Sequence, residues 1–178
     1  TMHDWTLDAQ ESEKVIKHAL KLGINFFDTA NCYSAGTSEE YLGQALKKNV
    51  ARDKVVIASK VYFNEGRLSK AAIEREIDGS LKRLGTDYLD LYIIHRFDFD
   101  TPIEETMGAL ADIVRQGKAL YVGISNYDAD QTRKALAVLK EHKVPCLIHQ
   151  ARYSMFDRWT EPDLLLVLKE EGVGMIAF

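Results

Sequence analysis

Apolar and polar positions along this chain switch repeatedly between a helical period and short continuous runs. Val15, Ile16, Ala19 and Leu20 fall on one helical face, and Asp8 with Glu11 three residues on supplies the start of a helix over 8–22. Gly23 stands where a left-handed C-cap ends such a helix, and the apolar run 24–27 reads as a buried strand. The unit then recurs. Thr37 and Glu40 form a capping-box pair ahead of Tyr41, Leu42, Ala45 and Leu46, before a strand over 55–59. Ser69 opens a helix with the stripe Ile73, Ile77, Leu81 and Leu84, ended by Gly85, and the apolar run 88–94 follows, broken only by Asp90. Thr101-Pro102-Ile103-Glu104 predicts a helix start, with Thr as cap and Pro first in the helix. Its face carries Ile103, Met107, Leu110 and Val114 to Gly117. A strand over 120–124, a helix over 129–142, a strand over 146–148, a helix capped by Thr160 and a strand over 174–178 complete the chain.

About six strands alternating with about six helices predict an α/β fold with a parallel sheet and helices outside. Right-handed crossovers put every strand C-terminus on one side, which lets polar groups far apart in sequence meet. A (β/α)8 TIM barrel with about six of its eight units present is the first choice, and an open doubly wound sheet the second. The first strand-to-helix junction, 28–38, lacks G-x-G-x-x-G, which weighs against a dinucleotide-binding open sheet. No linker or low-complexity tract divides residues 1–178, so one domain is expected.

A charged fraction of 28% and a formal net charge of −4 leave no electrostatic footprint for nucleic acid. No apolar run approaches the ~20 residues that span a bilayer, and the polar start shows no signal-peptide pattern. Cys32 and Cys146 form neither a disulfide framework nor a metal-ligand spacing, which fits a reducing, cytoplasmic setting. The chain begins with Thr1, so a fragment or processed product is expected.

The chemistry gathers at strand ends. Asp28 ends the first strand with Tyr33 on the loop beyond, Lys60 ends the second, and His95 ends the third. Taken singly, each has an ordinary structural explanation: a strand-end cap, a packing aromatic, a solvated lysine, a satisfied histidine. Together, at the mouth of a barrel where such folds work, they suit carbonyl reduction. A developing alkoxide needs a proton donor, and a free phenol with a pKa of about 10 is a poor acid at neutral pH. A neighbouring ammonium stabilises the phenolate, an imidazole orients the carbonyl, and a carboxylate offsets the buried ammonium.

These segments resemble the aldo-keto reductases: Gly23 to Ala30 with Tyr33, Ser59-Lys60, Leu91 to His95, Gly123-Ile124-Ser125-Asn126, and Gln150. Tyr153 to Arg158 and Thr101 to Thr106 are similar to the bacterial branch that also resembles potassium-channel β-subunits. The resemblance covers essentially the whole chain. It implies a (β/α)8 barrel using NADPH on small carbonyl substrates, with Tyr33 as general acid, Lys60 tuning it, Asp28 holding Lys60 and His95 positioning the carbonyl. Ser125, Asn126 and Gln150 would hold the nicotinamide carboxamide, Phe178 would stack on its ring, and Trp5 would line the substrate pocket. No metal is implied. The family's first and eighth strands and its adenosine-phosphate site would lie outside Thr1–Phe178, and exposed sheet edges would favour a homo-oligomer. Two other readings stay open: a nicotinamide-sensing binding module like the channel β-subunits, and an inactive truncated form.

Overall fold

The computed structural model describes residues 6–178. Among them, six strands form one sheet in the order β1-β2-β3-β4-β5-β6, every neighbouring pair parallel. They are β1 (Phe26–Asp28), β2 (Val56–Val61), β3 (Leu89–Ile94), β4 (Ala119–Ser125), β5 (Cys146–Ala151) and β6 (Gly174–Ala177). Six helices alternate with them: α1 (Ala9–Lys21), α2 (Thr37–Asn49), α3 (Lys70–Leu84), α4 (Ile103–Arg115), α5 (Ala129–Glu141) and α6 (Leu164–Glu171). A strand order that never reverses has no switch point, so the doubly wound alternative fails and the helices share one side.

The sheet is curled into part of a barrel. Gln150 on β5 donates from Nε2 to Asp28 Oδ2 on β1 at 2.8 Å. Four strand spacings would separate these strands by about 19 Å in a flat sheet, so the concave face has bent until its two sides touch. Alternation along the strands sorts the side chains. Ala58, Leu91, Ile93 and Ile148 cluster on the concave face, with Ile176 packed against them. Ile57, Val61, Tyr92, Ile94, Val122 and Ile124 belong to the larger core that includes Leu42, Ile73, Ile77, Met107 and Leu110 from the helices. Lys60 and Gln150 share the concave parity of Ala58 and Ile148, so the strand period carries them to the mouth.

Several helix starts differ from the sequence expectation. Asp8 caps α1 as expected, accepting from Glu11 N. The cap of α2 is Gly36 in a left-handed conformation, while Thr37 Oγ1 donates to the Ser34 carbonyl instead. Pro102 occupies the cap of α4, and Thr101 Oγ1 donates to Asp98 Oδ2. α6 begins only at Leu164, after turns that leave Thr160 buried. At Thr37 and Thr101 a neighbouring turn claims the hydroxyl that the capping pattern would use, whereas the Thr160 hydroxyl is buried with no partner among the described residues. No helix among the described residues is long and apolar enough to cross a membrane.

Candidate active site

Lys60 organises the mouth of the arc. Its side chain is only 3% exposed, and its ammonium has three oxygens to donate to. Nζ lies 2.7 Å from Asp28 Oδ1, 2.8 Å from the Thr29 carbonyl and 3.4 Å from Tyr33 Oη. An ammonium buried this deeply needs a counter-charge and full hydrogen bonding, and Asp28 with Thr29 supplies them. Asp28 divides its two oxygens between Lys60 and Gln150, so β1, β2 and β5 meet at one carboxylate.

Tyr33 is exposed at this mouth, its ring edge-on to His95 at 5.7 Å between centroids. Phe63 packs against the same imidazole at 5.1 Å, and Cys32 Sγ lies 4.0 Å from Nδ1. Burial, reinforced by the Lys60 ammonium, pushes the His95 pKa down to about 4, against an opposing pull from Asp28. His95 is therefore neutral at physiological pH, able to donate or accept one hydrogen bond to a carbonyl oxygen. Desolvation raises the Cys32 thiol, which stays protonated beside it.

Ser125, Asn126 and Gln150 also converge. Asn126 adopts φ 56, a left-handed conformation that Asn tolerates, and donates from Nδ2 to Ser125 Oγ at 3.1 Å. Its backbone N donates to the Gln150 carbonyl. Gln150 is 5% exposed, and its Oε1 is buried with no partner among the described residues. A buried amide oxygen without a donor is costly and suits a ligand bearing an N–H. Phe178 closes the arrangement, 60% exposed as a residue, with its backbone N donating to the Ala151 carbonyl. It lines an open cleft of about 450 Å³ with Phe63, His95, Arg96, Asn126 and Trp159. Trp5, expected at the substrate pocket, lies outside the described residues.

The structure thus brings Asp28, Tyr33, Lys60 and His95 together, with Ser125, Asn126, Gln150 and Phe178 on the adjoining wall. Sequence reasoning missed the Thr29 carbonyl, Phe63 and Arg96. A backbone acceptor leaves no sequence signal, but Arg96 sits directly after His95 and Phe63 lies just past the end of β2.

The sequence model of the Aldo/keto reductase family matches residues 1–178. The chain is 41% identical to L-glyceraldehyde 3-phosphate reductase of Escherichia coli (strain K12), over 97% of this chain and 53% of that protein. It is 36% identical to aldo-keto reductase AFTS1 of Alternaria alternata, over 99% of this chain and 57% of that protein. It therefore spans about half the length of the curated relatives it matches. Among solved structures, the thermostable aldo-keto reductase Tm1743, in complex with the inhibitor epalrestat, superposes with a TM-score of 0.88 at 36% identity. That match covers 95% of this chain and 60% of the other. An aldo-keto reductase from Klebsiella pneumoniae in complex with NADPH superposes with a TM-score of 0.85 at 35% identity, covering 96% and 57%.

Proposed function

The chain belongs to the aldo/keto reductase family, and from that premise we propose that it carries the catalytic half of an NADPH-dependent reductase of small aldehydes and ketones. The observation that carries this reading is the placement of Lys60 between Asp28 and Tyr33, with His95 beside the phenol. Two features fit a nicotinamide: the unpartnered Gln150 Oε1 can accept from a carboxamide N–H, and the exposed Phe178 ring offers a stacking surface. NADPH, when bound, supplies the hydride that reduces the carbonyl carbon. The Klebsiella pneumoniae relative was solved with that cofactor.

The chain's own residues supply the rest. His95, neutral and fixed between Tyr33 and Phe63, donates a hydrogen bond to the carbonyl oxygen and orients it. As the carbon gains hydride, charge develops on that oxygen and the Tyr33 hydroxyl protonates it. The O–H bond of Tyr33 breaks, an O–H bond forms on the alcohol, and phenolate remains. Lys60, itself buried and held in place, stabilises that phenolate across 3.4 Å. Asp28 and the Thr29 carbonyl keep the ammonium in place throughout.

NADPH oxidation by the full-length polypeptide, followed with a panel of aldehydes and ketones, tests this. Tyr33→Phe is expected to lower kcat by about 10²–10⁴-fold while NADPH still binds. Unchanged turnover in Tyr33→Phe would refute the acid assignment.

A further inference from the structure

The loop that carries Tyr33 is strained, and the strain is held from outside the site. Tyr33 opens a short 3-10 turn in which Ser34 and Ala35 sit at φ 48 and 54, followed by Gly36 at φ 95. Successive left-handed non-glycine residues do not persist unless neighbouring structure fixes them. α2 follows at once, and Glu39 in its first turn is 0% exposed. Arg83, near the end of α3, donates from Nε to Glu39 Oε2 at 2.6 Å and from Nη2 to Ser80 Oγ at 3.2 Å. The same arginine covers Gly36: a Cβ there would lie 2.9 Å from Arg83 Cδ. The other Glu39 oxygen accepts from Ser59 Oγ, and Ser59 is the β2 neighbour of Lys60.

These contacts close a circuit. The chain runs from Tyr33 to Glu39, crosses by hydrogen bond to Ser59, steps to Lys60, and returns across 3.4 Å from Nζ to Tyr33 Oη. Ser59 and Lys60 face opposite sides of β2, so the hydrogen bond lies behind the sheet and the reacting atoms in front.

From this geometry we infer that Glu39 is a positioning residue: through Ser59 and Arg83 it sets the Tyr33 hydroxyl against the Lys60 ammonium. The inference rests on the reading of Tyr33 as the acid. A role confined to stability predicts the same burial and ion pair but no link to proton transfer.

Double-mutant kinetics on the full-length, NADPH-loaded protein separate the two. Glu39→Gln is expected to lower kcat by about 10- to 100-fold, the scale on which small misplacements act, with NADPH affinity unchanged within about twofold. The solvent deuterium isotope effect on kcat should rise as proton transfer becomes the slow step. In a Tyr33→Phe background the same substitution should lower the residual rate no further, because the group it positions is gone. Ser59→Ala, a smaller perturbation, should repeat the pattern and serves if Glu39→Gln does not fold. An equal loss in both backgrounds, or a folded variant with unchanged kcat, overturns the inference. A strong effect of Tyr33→Phe combined with additive behaviour of Glu39→Gln would sink the positioning role alone and leave the function standing.

Discussion

Burial decides how two histidines titrate, and through them how the fold responds to acid. His95 and His149 are each pushed down to about 4, chiefly by desolvation, with Lys60 adding to the effect at His95 and the Tyr127 carbonyl opposing it at His149. Both folded values lie below the ordinary 6.5, so the unfolded chain takes up protons first as pH falls. The stability tied to neutral imidazole is complete above about pH 6.5, declines as pH drops toward 4, and levels off below that. Urea unfolding at pH 7.5, 6.5, 5.5 and 4.5 is expected to show this decline. His149→Gln should remove about one proton from the uptake on unfolding in that window. An identical pH slope in the variant would show that His149 is not held neutral by the fold. At this scale the sequence was informative where a polar group followed directly on an apolar run, as at Asp28, Lys60 and His95. It could not separate Glu39 from Glu40: both sit in the first turn of α2, and only the packing of α3 shows that Glu39 is buried and Glu40 exposed.

Elements were legible wherever periodicity ran uninterrupted, and their ends were not. β2 and β5 continue past the apolar runs to Val61 and Ala151, taking in Lys60 and Gln150, because parallel pairing persists into the site whatever the side chains are. Polarity made those residues look like strand exits, whereas backbone hydrogen bonds make them strand interiors. The contact between α2 and α3 was also invisible. A Cβ at Gly43 would lie 2.2 Å from the Leu84 carbonyl oxygen and 2.6 Å from its carbon, so the helices can approach only because position 43 has no side chain. Since backbone rather than a flexible side chain blocks it, Gly43→Ala must push the helices apart, at a cost of about 1–3 kcal/mol or somewhat more. Denaturant unfolding measures this, and a loss under about 0.5 kcal/mol would mean that the α2–α3 crossing yields without cost and that Gly43 is not what sets it. The same helix pair holds Arg83 over Gly36, so Gly43→Ala should also lower kcat if the Glu39 circuit positions Tyr33.

The whole molecule follows from parallel pairing without reversal, which the alternation of strand and helix signals already implied, but the degree of curl follows only from the Asp28–Gln150 contact between β1 and β5. An arc of six strands leaves two edges. Among the described residues β1 pairs only with β2, and β6 only with β5. Beside β1 the helix α1 has no fully buried residue, and Val15, Ile24 and Phe26 are 57%, 49% and 39% exposed. An adjoining cleft of about 430 Å³ is lined by Leu7, Val15, Ile16, Phe27, Tyr41 and Leu42. An unpaired parallel edge flanked by apolar surface is a template for further strand pairing. A polypeptide of these 178 residues is therefore expected to associate as concentration rises and to bind a hydrophobic dye, as read by light scattering and dye fluorescence. Phe26→Lys places a charge on the β1 edge and should suppress both, because pairing at that edge would then bury an uncompensated ammonium. A dye-silent monomer at high concentration would mean that the edge is covered by some means the arc itself does not reveal. Association unaffected by Phe26→Lys would instead move the contact to the β6 edge, where the exposed Phe178 lines the cleft with His95 and Asn126, and if that cleft takes the nicotinamide as proposed, cofactor binding would then compete with self-association.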